Sequence, residues 1–258
     1  MPHISFSELK NWKQCPFYHK LTYIDKIDGF VGNEHTAFGR AMHESCDHLL
    51  ISGDDGNMYE FFIKEFEREI ETLLMKDVEL NQKMVNEMEE QGRTLLPLVL
   101  PGVKDYLEDF TVISTEEQLM VPIDEGGVEG YNFKGFVDLV VKTSDGKYHI
   151  IDWKTCSWGW DRRRRSEPMT TYQLTLYKHY FAKKHKLDPE NIETHFALLK
   201  RTAKKNNVEF FRVTSGPKKT QNALNLLTKA VYNIFNRRHF KNRLACQRCE
   251  FYRTEHCP

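Results

Sequence analysis

No run in this 258-residue sequence approaches the ~18 consecutive apolar residues that a membrane helix needs. Its opening, MPHISFSELKNWKQC, has no apolar signal core. These absences exclude an integral membrane protein of the helical type and predict a chain that works in the cytoplasm. Glycine (14) and proline (9) are sparse, and neither an internal repeat nor a low-complexity segment is present. Fibrous and disordered classes are thereby excluded. The P-loop pattern G-x-x-x-x-G-K-[ST] is also missing, so no helicase or ATPase motor is expected. What remains is ordinary globular composition, 40% apolar and 29% charged, with enough material for a real core.

Net charge is absent as well, with 37 Lys+Arg against 37 Asp+Glu, but the average hides an asymmetry. Residues 1–161 carry 15 basic and 30 acidic side chains, whereas residues 162–258 carry 22 basic and 7 acidic. The C-terminal part therefore offers basic patches suited to phosphate, or else a counterweight to the acidic half. Its clusters include Arg162, Arg163, Arg164 and Arg165, Lys200 with Arg201, and Lys204 with Lys205. The six cysteines are not spaced as a disulfide framework. Cys246, Cys249 and Cys257 crowd the last 13 residues, Cys15 lies near the other end, and Cys46 and Cys156 stand alone. Clustered thiols in a cytoplasmic chain point to metal or cluster ligation, and the isolated pair reads as buried structural thiols.

Hydrophobic period organises the rest. A helix starts at Ser5–Leu9, capped by Ser5 or Ser7, and runs toward Cys15-Pro16. Helical spacing predicts further helices over 34–50, 58–91 and 94–109, with a break at Ser52–Gly56. The period then changes. Alternation over 118–123, aromatic and β-branched residues over 131–141 and a short apolar run over 147–152, separated by Glu125-Gly126-Gly127 and Ser144-Asp145-Gly146, predict a three-stranded antiparallel meander. A helix over 170–185, strands over 194–199 and 208–213, and a helix over 218–238 follow. This order predicts an α/β core behind a helical N-terminal region.

Two acidic residues sit in or at the end of apolar strands: Asp138 in Gly135-Phe136-Val137-Asp138, and Asp152 in Asp152-Trp153-Lys154. A carboxylate there is costly unless it is paired or holds a cation. Asp152 and Lys154, two apart, face the same side of a strand. Two carboxylates and an ammonium at one point suit phosphodiester hydrolysis: oxygens hold Mg²⁺, and the lysine orients water or neutralises developing charge. A bare D-x-K is also a common surface ion pair; the flanking strands and turn favour a site.

These residues resemble the PD-(D/E)xK nuclease core, in its RecB-like branch. His43 in Gly39-Arg40-Ala41-Met42-His43 resembles the branch's helical metal ligand. Gln173-Leu174-Thr175-Leu176-Tyr177 resembles its Q-x-x-x-Y motif, in which Gln173 and Tyr177 face DNA. Glu117 lies where a further acidic residue often stands, with Glu116 as a substitute. The resemblance implies a restriction-endonuclease-like fold, a mixed central sheet flanked by helices, spanning 1–258 as a single nuclease domain. Residues 55–110 become an acidic helical insertion, and 240–258 a Cys-rich tail closing on Cys15.

The resemblance further implies a Mg²⁺- or Mn²⁺-dependent deoxyribonuclease. Metal would be held by His43, Asp138, Asp152 and the main-chain carbonyl of Trp153, with Lys154 assisting attack. In the iron–sulfur subgroup (the CRISPR-adaptation and AddB-like relatives), Cys15, Cys246, Cys249 and Cys257 would hold a [4Fe–4S] cluster, with Zn²⁺ as the alternative. The implied partner is DNA, as ends or single strands, in recombination, repair, replication or spacer acquisition, in a bacterial or phage-infected cell. A stand-alone phage or CRISPR-associated exonuclease fits the size. Oligomers and monomers both occur among such relatives. Arg162 to Arg165 are expected in a loop as phosphate contacts or a gate, and Trp153, Trp158 and Trp160 as base-stacking or packing residues. Three rivals stay open: a non-catalytic nucleic-acid-binding protein, a partner subunit with a structural metal cluster, and a metal-dependent hydrolase of a different phosphodiester.

Overall fold

The computed structural model describes residues 2–53, 56–127 and 130–258. Strand β1 (His3–Ser5) leads into α1 (Phe6–Gln14). Ser5 caps that helix by accepting the Glu8 N–H at 3.1 Å. A short α2 (Pro16–His19) continues as a π-helical turn, Lys20–Ile24. Then come α3 (Glu34–Ser52), α4 (Met58–Leu74) and α5 (Gln82–Leu107). Asn33 and Thr36 form a reciprocal capping box at the start of α3, and Gly53, in the left-handed region, ends it. Asp54 and Asp55 of the expected break lie outside the described residues.

The helical boundaries between 58 and 109 differ from those the periodicity predicts. The break falls at 75–81, where Asp77 takes a left-handed backbone (φ 56°) and Asn81 caps the next helix by accepting the Met84 N–H. Pro97 and Pro101 then lie inside α5. Burial of Leu95, Leu96, Val99 and Val103 along one stripe outweighs the two missing N–H donors. Gly92 permits the close crossing, since a Cβ there would lie 2.2 Å from the Phe62 ring of α4.

Strands β2 (Phe110–Pro122), β3 (Asn132–Thr143) and β4 (Tyr148–Cys156) form the antiparallel meander. After α6 (Arg162–Ser166) and α7 (Pro168–His185), strand β5 (Ile192–Lys200) pairs parallel to β4, and β6 (Val208–Arg212) pairs antiparallel to β5. Helix α8 (Pro217–Phe235) and the Cys-rich tail complete the chain. Six strands make one mixed sheet. Its apolar faces are covered separately. Residues of α3, α4 and α5 pack with Leu139, Val141, Ile151 and Trp153. Those of α1, α7 and α8 pack with Val137, Val140, Ile150 and Phe196. Each fully buried Leu or Phe contributes about 1.5–3 kcal/mol, so both layers hold the sheet firmly.

One irregularity positions chemistry. Strand β3 pairs with β4 only from Leu139 to Lys142, ending at Leu139 opposite Ile151. The first residues of β3 instead pair parallel to β1, at His3 to Ser5. Sequence periodicity misses β1 because three residues carry no period. The sheet thus forks just before Leu139 and just after Ile151, with Asp138 and Asp152 at the mouth of the fork.

Candidate active site

At the fork Asp138 Oδ2 accepts the Trp153 N–H at 2.8 Å, a donor that β3 leaves unpaired. Asp152, 1% exposed, accepts the Gln173 side-chain N–H at 2.7 Å on Oδ1, while Oδ2 meets the Lys154 ammonium. His43 reaches in from α3 on one face of the sheet, its Nδ1 3.4 Å from Asp138 Oδ2. Gln173 reaches in from α7 on the other. Helices on opposite faces therefore meet through the gap in the ladder.

The electrostatics follow from burial. Burial pushes Asp138 above the usual carboxylate range against the pull of Lys154, and lifts Asp152 to about 6 despite the same ammonium. The Lys154 ammonium is disfavoured by burial, but Asp152 and Asp138 outweigh that and raise its pKa. Burial and the Lys154 charge lower His43 to about 4, opposed by Asp152 and by a hydrogen bond with the Trp153 main chain. A neutral imidazole is the form that ligates metal.

Two acidic residues turn out differently from expectation. Glu117 points away from the fork: Lys184 (2.7 Å), Ser114 (2.6 Å) and His185 hold its carboxylate. Burial opposes its ionisation, yet these hydrogen bonds hold its pKa below the usual value. Glu116 takes the place instead. Its ligand oxygen, that of Asp138 and a His43 ring nitrogen all lie within 4.8 Å of one another. The β2–β3 register accounts for the choice: Thr115 pairs with Leu139 and Glu117 with Val137, so Glu116 lies opposite Asp138. Partial burial, Asp138, Glu44 and Asp152 push Glu116 up to about 7. Asp47, one turn beyond His43 on α3, was not anticipated. It is 7% exposed, its Oδ1 has no hydrogen-bond partner among the described residues, and burial with Glu116 and Asp138 nearby lifts it to about 8. The i, i+4 spacing from His43 was the available signal.

The remaining expected residues divide. Gln173 is engaged with Asp152. Tyr177 is buried beside Gly135, where a Cβ would come within 2.8 Å of its ring, so that glycine seats α7 on β3. Burial and Asp152 raise the Tyr177 hydroxyl pKa. The four arginines lie on a short helix capped by Asp161, not in a loop. Arg165 binds Glu209 at 2.6 Å and Arg164 covers the Trp160 ring, while the side chains of Arg162 and Arg163 are exposed, without a protein partner among the described residues. Trp153 and Trp160 are buried packing residues; Trp158, 73% exposed, alone of the three is open to a base. Cys46 is buried, whereas Cys156 is half-buried.

At the far end, Cys15, Cys246, Cys249 and Cys257 line one pocket with Phe17, Tyr18 and Phe251. All are unpaired thiols. The Phe17 N–H bonds to the Phe240 carbonyl at 3.0 Å, Asn242 donates its N–H to Cys15 Sγ at 3.3 Å, and Tyr18 donates to Glu250 at 2.8 Å. The tail thus folds back onto α1 and α2.

Comparison with known families bears on this geometry. The sequence model of the PD-(D/E)XK nuclease superfamily matches residues 3–254. The chain belongs to the PD-(D/E)XK nuclease superfamily. In the structure of a candidate exonuclease from Eubacterium rectale, 90% of that chain aligns with 99% of this one at a TM-score of 0.62 and 13% identity. That likeness establishes a shared fold. The protein SSO0001 aligns over 96% of this chain and 83% of its own, at 13% identity and a TM-score of 0.44, too low to establish one. No curated protein matches. The mixed sheet between helical layers is the superfamily's α/β architecture. No helix among the described residues is long and apolar enough to cross a membrane.

The superfamily uses divalent metals, and the donor set at the fork fits one. Asp138, Asp152 and Glu116 offer hard oxygens, His43 offers a neutral nitrogen, and Asp47 Oδ1 is a buried acceptor with no donor among the described residues. Burial first, and the neighbouring carboxylates after it, lift Asp47, Glu116 and Asp152 above their usual range.

Proposed function

We propose that this nuclease is a Mg²⁺- or Mn²⁺-dependent deoxyribonuclease, an exonuclease that acts on DNA ends or single strands in recombination, repair, replication or spacer acquisition. The observation that carries it is the convergence of His43, Glu116, Asp138, Asp152 and Lys154 at the fork. His43, Asp138, Asp152 and the Trp153 carbonyl are the proposed metal ligands, with Glu116 in place of Glu117. When bound, the cation polarises the scissile phosphoryl group and acidifies water. Lys154 orients the attacking water and offsets charge on the phosphate, its ammonium kept protonated by Asp152 and Asp138. Gln173 fixes Asp152 in the rotamer that faces Lys154. Exposed Arg162 and Arg163 are assigned to phosphate contacts, and Trp158 to stacking on an unpaired base.

Residues 1–258 are assigned to one nuclease domain in which α4 and α5 form an acidic insertion. The four cysteines of the tail are assigned to a [4Fe–4S] cluster. Support comes from their shared pocket and the N–H donated to Cys15 Sγ. Anaerobically prepared protein is then brown with a visible charge-transfer band; colourless protein with bound zinc contradicts the assignment.

End-labelled linear DNA and circular DNA, each incubated with Mg²⁺, Mn²⁺ or chelator, test the activity. Metal-dependent loss of linear DNA, abolished in Asp152→Asn, is expected. Full cleavage in chelator, or in Asp152→Asn, contradicts it.

A further inference from the structure

A second cluster of metal-ligating groups lies on the opposite face of β4, about 10 Å along the strand from Asp152. His149 of β4 and Glu193 and His195 of β5 each place a ligand atom within 4.8 Å of the others. Both imidazoles are buried. His149 Nδ1 and His195 Nε2 face each other at 3.0 Å, and each outer nitrogen is anchored: His149 Nε2 to Thr143 Oγ1 at 3.0 Å, His195 Nδ1 to the Tyr106 hydroxyl of α5 at 3.0 Å. Hydroxyl anchors on the outer nitrogens are the arrangement that orients metal-ligating histidines.

The proton positions can be assigned. Thr143 gives its single hydroxyl hydrogen to the Asp145 carboxylate at 2.5 Å, so its oxygen accepts from His149 Nε2–H. His149 Nδ1 therefore carries a lone pair, and His195 donates Nε2–H to it. Tyr106 in turn donates to His195 Nδ1. Only one proton stands between the two inward nitrogens. Moving it from Nε2 to Nδ1 of His195, with the Tyr106 hydroxyl rotating to accept, leaves two lone pairs aimed at one point. Nothing is lost to solvent in that tautomer change. Metal–nitrogen bonds of 2.0–2.1 Å at a tetrahedral angle need the nitrogens about 3.3 Å apart, a small opening from the present contact.

Charged groups surround Glu193. Lys147 (3.3 Å) and Arg212 (3.1 Å) both bind Oε1, which leaves Oε2 open to a cation. Asp145 and Glu193 favour a dication there; Lys147, Arg212 and Lys178 oppose one. Burial keeps both imidazoles neutral, His195 down at about 3. Two imidazoles and a single carboxylate select borderline transition ions over Mg²⁺.

We propose that His149, Glu193 and His195 form a binding site for a divalent transition metal ion, Zn²⁺ foremost, separate from the catalytic fork. Bound there, it clamps β4 to β5 and, through Tyr106, to α5. The test is residue-resolved, so metal held by the cysteines or the fork does not confuse it. Full-length ¹⁵N-labelled protein in Mg²⁺ buffer is titrated with Zn²⁺ while histidine ring nitrogens are followed by NMR. Expected is a saturable change in which His195 switches from the Nε2–H to the Nδ1–H tautomer and His149 Nδ1 shifts as a ligand. Tyr106→Phe and Glu193→Gln each weaken that transition about tenfold or more. His149→Asn abolishes it and leaves Mg²⁺-dependent DNA cleavage unchanged; should that variant fail to fold, the two milder ones decide. Ring signals of His149 and His195 unmoved at millimolar Zn²⁺, or moved with equal affinity in both milder variants, overturn the proposal.

Discussion

Around Asp152, toward the end of β4, carboxylates from α3, β2, β3 and β4 crowd a single lysine and are driven upward in pKa together. Around His149, near the start of the same strand, every ring nitrogen of the histidine pair has a partner. The first cluster is a buried, carboxylate-rich set suited to a hard dication; the second is a hydrogen-bonded network proposed to admit a borderline one by shifting a proton. The difference lies in the ladder. At Asp138 the sheet opens and strands no longer neutralise their own polar groups, whereas at His149 the β3–β4 and β4–β5 pairings are intact.

The sharpest way to break this contrast is at the charges themselves. Asp152→Asn or Lys154→Ala should lower the single-turnover cleavage rate by about 10³-fold or more, the scale of losing one preorganised charge at a reacting centre. Binding of DNA to either variant in Ca²⁺, measured by fluorescence anisotropy, should change little. Next, Glu116→Gln should weaken cleavage about 10- to 100-fold, and Glu117→Gln should stay within about twofold of the parent. Equal losses in the pair would move the acidic ligand back to the expected position. Gln173→Leu should cost about tenfold, chiefly as a higher Mg²⁺ requirement, because Asp152 loses its orienting donor.

The contrast also has a pH signature. Asp152, Glu116 and Asp47 have folded-state pKa values of about 6, 7 and 8, above their unfolded values. Folded protein therefore binds more protons than unfolded protein between about pH 4 and 8, and without metal these groups lose stability as pH rises through that window. His43, held at about 4, acts oppositely but only below about pH 6.5. Mg²⁺ must displace protons to bind, so the rise in melting temperature it produces should be larger at pH 8 than at pH 6. A larger rise at pH 6 would show that these carboxylates do not face the ion. The smallest expected effect is structural: Gly135→Ala, which drives a Cβ against Tyr177, should destabilise by about 1–3 kcal/mol in urea melts.

Much of this was readable in the residues. The meander and its turn signals, the helix carrying Gln173 and Tyr177, and the Asp138, Asp152 and Lys154 set all follow from alternation and strand-end acids. Glu116 was hidden because the β2–β3 register decides which of two adjacent glutamates lies opposite Asp138, and no pattern of residue types announces that. Asp47 was hidden because an acid on a helix looks solvated until its neighbours are known. The helix through Pro97 and Pro101 was hidden because packing of its apolar stripe, a tertiary quantity, overrode a local rule. The His149–His195 pair joins residues 46 apart on parallel strands, a register that sequence does not carry.

Crystals soaked in Mn²⁺ and measured at the manganese edge test the central claim most directly. The predicted result is an anomalous peak at the fork, about 2.0–2.3 Å from oxygens of Asp138 and Asp152 and a nitrogen of His43, lost in Asp138→Asn. Manganese bound elsewhere, with the fork empty in protein that still degrades DNA, would contradict it.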